Sequence, residues 1–74
     1  MNIYLLTRPD GADYDEYESA VVIASDEPSA RAMHPSGEMS EHGWVTPDKV
    51  GVALIGQALS RETQRVVCAK FNAG

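Results

Sequence analysis

Apolar residues fall in four short runs along this chain, separated by polar or turn-forming stretches. The first, Ile3-Tyr4-Leu5-Leu6-Thr7, is rich in side chains that suit a pleated surface, so residues 2–7 read as a strand. Pro9-Asp10-Gly11 then marks a turn, with Pro presetting φ and Gly allowing positive φ. Strand character returns at Ala20-Val21-Val22-Ile23-Ala24, and the two runs can pair as a hairpin joined by the segment between them. Ser25 to Met33 reads as a short helix. Ser25 or Asp26 caps it, the acids favour its first turn, and Pro28 is tolerated there. Pro35 bars continuation, leaving His34 near the helix end and Ala30 and Met33 as the packing residues.

Residues 34–48 show no period, and Thr46-Pro47-Asp48-Lys49 carries turn chemistry. Val50-Gly51-Val52-Ala53-Leu54-Ile55, closed by Gly56, is the third expected strand. Ser60-Arg61-Glu62-Thr63 is a turn, and Arg65 to Phe71 is the fourth strand, with Val67, Ala69 and Phe71 on one face. The order is β-β-α-β-β. It predicts an α+β fold over residues 1–74 as a single small domain, an antiparallel sheet with one short helix packed on a face.

Seventy-four residues bound what such a fold can do. A domain this small buries only roughly 60% of the surface its unfolded chain exposes. Its single core supplies on the order of 5 kcal/mol or less, so a staple or a second copy is a common supplement. Cys68 is the only cysteine, which excludes an internal disulfide and fits a reducing compartment. Set in an apolar run, it is expected to act as a small core or sheet filler. No run of apolar residues exceeds five, and no basic segment leads into a long apolar one. A soluble cytoplasmic protein is the expectation.

Charge changes the picture more than composition does. The net charge is −5, and no basic residue stands between Arg8 and Arg31. That interval holds seven of the eleven acids: Asp10, Asp13, Asp15, Glu16, Glu18, Asp26 and Glu27. Direct nucleic-acid binding is not expected of such a face, because phosphate needs a cationic footprint. Asp13-Tyr14-Asp15-Glu16-Tyr17-Glu18 packs four carboxylates and two rings into six residues. It is either a solvated connection or a docking surface for a basic protein, with Tyr14 and Tyr17 as anchors. In an extended chain alternate carboxylates stand up to ~7 Å apart, a spacing that can imitate a nucleic-acid strand. Trp44, alone in a polar stretch, closes over the core edge or serves as a further anchor. Phe71 is expected to bury its ring, and Asn72 through Gly74 to pair with a strand or sit at an interface.

Metal and catalytic readings are weak. Asp13, Asp15 and Glu18 alternate as in a calcium loop, but the turn Gly and the closing Glu are missing. His34, Glu38, Glu41, His42 and Cys68 offer zinc ligand types without CxxC or HExxH spacing. No GxSxG, phosphate-binding loop or GxGxxG occurs, so no cofactor and no enzymatic activity are expected.

Ile3-Tyr4, Thr7-Arg8, Asp13-Tyr14-Asp15-Glu16-Tyr17, Val21-Val22-Ile23-Ala24 and Ala30-Arg31, with His34-Pro35-Ser36-Gly37, Trp44, Ile55-Gly56 and Phe71-Asn72-Ala73-Gly74, span almost the whole chain. In these the chain resembles a family of small uncharacterised bacteriophage and prophage proteins. The resemblance implies a phage origin and expression in a host bacterial cytoplasm; it implies no activity. The combined expectation is a non-enzymatic accessory protein that binds a basic protein partner. Its binding residues would be Asp10, Asp13, Tyr14, Asp15, Glu16, Tyr17, Glu18 and Trp44, and the first target a nucleic-acid-handling host or defence protein that it would inhibit. The alternative is a self-associating domain, a homodimer through a sheet edge or the C-terminal tail.

Overall fold

The computed structural model describes residues 1–40 and 42–73. Strands β1 (Asn2–Thr7), β2 (Glu16–Ala24), β3 (Gly51–Gln57) and β4 (Arg65–Asn72) form one antiparallel sheet in the order β3-β1-β2-β4. A helix, α1 (Glu27–Arg31), follows β2, and a 3-10 turn at Pro47–Lys49 leads into β3. The small α+β domain with one short helix is therefore as the hydrophobic pattern implies.

The two most apolar runs occupy the centre. Tyr4 stands opposite Val22, Leu6 opposite Ala20 and Asn2 opposite Ala24. Residues paired across a ladder share a face, so Tyr4, Leu6, Ala20, Val22 and Ala24 line one side of the sheet. Ala30 of α1 and Val50 close over them, and the whole set is buried. Leu6 and Val22 are fully enclosed, each worth about 1.5–3 kcal/mol of burial. The alanines keep this layer thin, which lets a helix of little more than one turn lie close to the strands. Met33, Trp44, Val45, Val52 and Val66 pack around its margin.

Local chemistry explains the helix. The Asp26 carboxylate accepts from the Ser29 N–H at 2.9 Å, an N-cap, and Pro28 sits where no intrahelical donor is needed. Arg31, in the last turn, pairs with Glu27 at 2.8 Å and donates to the carbonyls of Pro47 and Val50. One guanidinium thus ties the helix to the lead-in of β3. The helix is shorter than the expected 25–33. Met33 N–H bonds the Ala30 carbonyl at 3.1 Å, a tightened last turn, and the chain then leaves toward the buried Pro35.

Other boundaries shift for tertiary reasons. β2 starts at Glu16 and β4 runs to Asn72, because Glu16 faces Asn72 and Tyr17 faces Phe71 in the ladder. Part of the acidic segment is therefore strand. A register shift between Val21 and Val22 lets Val66 reach the core and turns Val67 to the opposite side, so Val67 does not share a face with Ala69 and Phe71 as the alternation suggests. Cys68 is no core filler. It stands opposite Val21, on the face away from α1, and is exposed. Phe71 is 43% exposed rather than buried, its ring set edge-to-face with Tyr17 across 4.7 Å between centroids. Phe71 sits near the end of an outer strand, and Cys68 on the face the helix does not cover. At Gly51 an added Cβ would fall 2.6 Å from the Thr7 Oγ1, so a larger residue at the start of β3 would have to displace that hydroxyl.

Truncating the centre of this layer is expected to be severe. Leu6→Ala should cost about 2–5 kcal/mol, comparable to the whole stability of so small a domain, and leave the chain largely unfolded. Val67→Ala, at an exposed position, should stay within about 0.5 kcal/mol of the parent. Urea unfolding followed by circular dichroism compares the two.

Candidate functional site: an acidic-aromatic turn

The end of the β1–β2 connection is a tight turn, Asp13-Tyr14-Asp15-Glu16, in which Glu16 N–H donates to the Asp13 carbonyl at 3.2 Å. Asp15 takes the third position with φ 68°, among the described residues the only non-glycine at positive φ. Asp tolerates this left-handed conformation better than most residues. The Glu16 carboxylate reaches back to accept from the Asp13 N–H at 2.9 Å. Asn72, at the far end of the chain, supplies the rest of the frame. Its carbonyl accepts from the Asp15 N–H at 2.6 Å, and its side-chain amide donates to the carbonyls of Ala12 at 3.0 Å and Asp13 at 3.2 Å. The loop carrying Gly43 braces the next residue, where Tyr17 N–H donates to the Gly43 carbonyl at 2.7 Å. Gly43 itself has φ 73° and lies close enough that an added Cβ would press on the Asp15 carbonyl at 3.4 Å.

This frame presents Tyr14, 72% exposed, between the exposed carboxylates of Asp13 and Asp15. No ion pair reaches Asp13 or Asp15 among the described residues. The rest of the expected acidic ridge is neutralised. Arg8, whose side chain is only 8% exposed, pairs with Asp10 at 3.2 Å and Glu16 at 3.5 Å, and donates to the Tyr17 carbonyl at 3.1 Å. Lys70 of β4 pairs with Glu18 at 2.8 Å. A continuous row of unpaired carboxylates, as a nucleic-acid mimic would need, is therefore absent from this segment. The one-signed interval misleads because the cations come from its border and from the opposite end of the chain.

The ionisation of these groups follows their partners. The hydrogen bond from Arg8 holds the Asp10 carboxyl below the usual aspartate value, helped by the Arg8 and Lys49 charges. The hydrogen bond and charge of Glu18 push the Lys70 ammonium above its usual value.

Of the other expected binding residues, Tyr17 turns inward. It is half-buried, its ring edge-on to His34 at 5.7 Å and to Phe71 at 4.7 Å. Trp44 also withdraws, packing against the core margin on the helix side. There it walls a cavity of about 410 Å³ with Met33, Val45 and Pro47. Its indole N–H is enclosed without a partner among the described residues. His34 accepts from the Ser36 N–H through Nδ1 at 3.1 Å, and its Nε2 donates to the His42 carbonyl at 2.7 Å. Both ring nitrogens are thus engaged by the loop itself. Among the described residues no group of three or more His, Cys, Asp or Glu converges as metal ligands would. Glu41, counted among the zinc-type ligands, and Gly74, counted in the tail, lie outside the described residues. No helix among the described residues is long and apolar enough to cross a membrane.

Arg8 and the side-chain role of Asn72 are what sequence reasoning missed; the strand pairing expected of Asn72 is there, opposite Glu16. Arg8 carried a faint signal, a lone base directly after a strand and before an acidic run. Asn72 carried none, because its contacts lie 59 and 60 residues away. No protein-family model, curated protein or solved structure matches this chain.

The turn makes its own stability prediction. Asp15→Ala should lose about 1 kcal/mol from backbone strain, whereas Asp15→Gly should melt at or above the parent temperature. A second prediction concerns pH. Asp10 should titrate below the ordinary aspartate value of 3.8, and Arg8→Gln should bring its midpoint back up in a carboxyl-detected NMR titration. Because the folded value is depressed, the Arg8–Asp10 contribution to stability is present above the unfolded value and is lost as pH falls through the folded one. Lys70 behaves oppositely. Its contribution is complete below the usual lysine value of 10.5 and is lost as pH rises through the raised one.

Proposed function

We propose that this chain is a non-enzymatic binding protein that docks a basic protein partner through the Asp13-Tyr14-Asp15 turn. The observation that carries this reading is the display of Tyr14. A large amphipathic ring stands in solvent between two unpaired carboxylates, on a backbone held by hydrogen bonds with Glu16 and with the distant Asn72. Exposing such a ring gains the fold nothing, and a solvated connection has no need of a left-handed aspartate clamped by a distant asparagine. Preorganisation of this kind reduces the ordering cost of binding, and tyrosine supplies contact area with little rotamer entropy to lose. Two free carboxylates beside the ring select a cationic counterpart and speed its approach.

The narrowed charge footprint changes the kind of recognition. A ridge of five carboxylates would act by long-range imitation of a phosphate backbone; a ring flanked by two acids acts as a plug, filling a pocket lined by lysine or arginine. The resemblance to small phage and prophage proteins favours a host nucleic-acid-handling or defence protein as the owner of that pocket, with inhibition as the outcome.

Capture from bacterial lysate on the immobilised chain, at low and high salt, tests this. Tyr14→Ala should abolish capture of a basic partner. Asp13→Asn with Asp15→Asn should weaken it at least tenfold and flatten its salt dependence, while Glu18→Gln should have little effect. An unchanged captured set with Tyr14→Ala, its fold verified by circular dichroism, would overturn the reading.

A further inference from the structure

The helix, with Met33, Trp44, Val45 and Val50, covers one face of the sheet. The other carries Leu5 and Val21 on the central strands, with Ala53 and Cys68 opposite them on the outer ones. Only residues from 58 to 62 curl over one end, where Leu59 and Val67 stay 63% and 51% exposed beside Ile3 and Ile23. Among the described residues the middle of this face holds no charged side chain. Its two ends do. Glu62 pairs with Arg65 at 2.7 Å at one, and Glu18 pairs with Lys70 at 2.8 Å at the other.

We propose that this open face packs on the same face of a second copy, in a twofold dimer whose strands run antiparallel across the interface. The arrangement of charge identifies the occupant. Arg65 and Lys70 stand opposite Ile23 and Ser19, four ladder positions apart because Val67 is bulged out, roughly 13 Å along the strand. A twofold axis in the interface, perpendicular to the strands, lays the Arg65 end of one copy over the Lys70 end of the other. Arg65 then meets Glu18 of the second copy, Lys70 meets its Glu62, and each end becomes an alternating cluster of four charges. A different partner would have to repeat both pairs at the same spacing. The same operation sends the two Asp13-Tyr14-Asp15 turns to opposite ends, so two chains of net charge −5 associate with their unpaired acids apart. Four strands at ~4.8 Å spacing make the footprint on the order of 250 Å² in plan, so the accessible surface it buries is small beside the roughly 800 Å² per partner of a standard interface. The dimer is accordingly weak, forming in the micromolar range or above.

Sedimentation velocity from about 1 µM to about 1 mM tests this directly. The weight-average mass should rise from one chain toward two. Cys68→Lys, placed at an exposed position so that folding is retained, should move the midpoint at least tenfold higher in concentration, as should Arg65→Glu. Circular dichroism of dilute samples verifies both folds. Stacked sheets sit ~10 Å apart, too far for a disulfide, so a short bismaleimide should couple Cys68 of the two copies where oxidation does not. A single-chain mass at the highest concentration overturns the proposal. So does a dimer that Cys68→Lys leaves intact, which would place self-association elsewhere.

Discussion

One thin apolar layer, with Leu6 and Val22 at its centre, is the constraint on which everything else in this molecule depends. It lies between the central strands and a five-residue helix. So short a helix covers only the middle of one face. Most side chains on the outer strands and on the opposite face therefore keep partial exposure however apolar they are, Ile23 being a buried exception under residues 58 to 62. Leu54, Ile55, Val67 and Phe71 are all in this position. Their exposure follows from the geometry of a one-sided core in a short chain.

The same thinness explains how heavily the fold relies on individual cations. Arg31 holds the helix to the lead-in of β3, and Arg8 holds the acidic connection to the end of β1 and to β2. Each guanidinium bridges a carboxylate and a backbone carbonyl, a use that suits its fixed fork of donors. With six bases in the chain, committing Arg8 and Lys70 to the acidic segment leaves Asp13 and Asp15 as its unpaired acids. The surface offered to a partner is correspondingly compact, an aromatic ring and two charges.

Each strand was legible because its apolar run was bounded by turn residues, and the helix because Asp26, Pro28 and Pro35 mark where it can start and stop. The boundaries were less legible. The Glu16–Glu18 stretch reads as loop from its charge, yet it is strand because Asn72 and Phe71 lie alongside. Cys68 reads as a core or sheet filler and Phe71 as a buried ring, and only the sheet order shows that β4 is an outer strand. For the candidate site, Tyr14 and its flanking acids stand out in the sequence by composition. Their separation from Asp10, Glu16, Tyr17 and Glu18, which the fold neutralises or turns inward, does not.

Residue order alone was enough to specify a small α+β domain with a capped helix and a Tyr-bearing acidic connection, since propensity, capping and turn chemistry act between near neighbours. Which acids remain unpaired, which ring stands in solvent and which face of the sheet lies open were settled by contacts between residues far apart in the chain. Strand order and register arise from those long-range pairings, and a shift of one position exchanges the two faces of a strand.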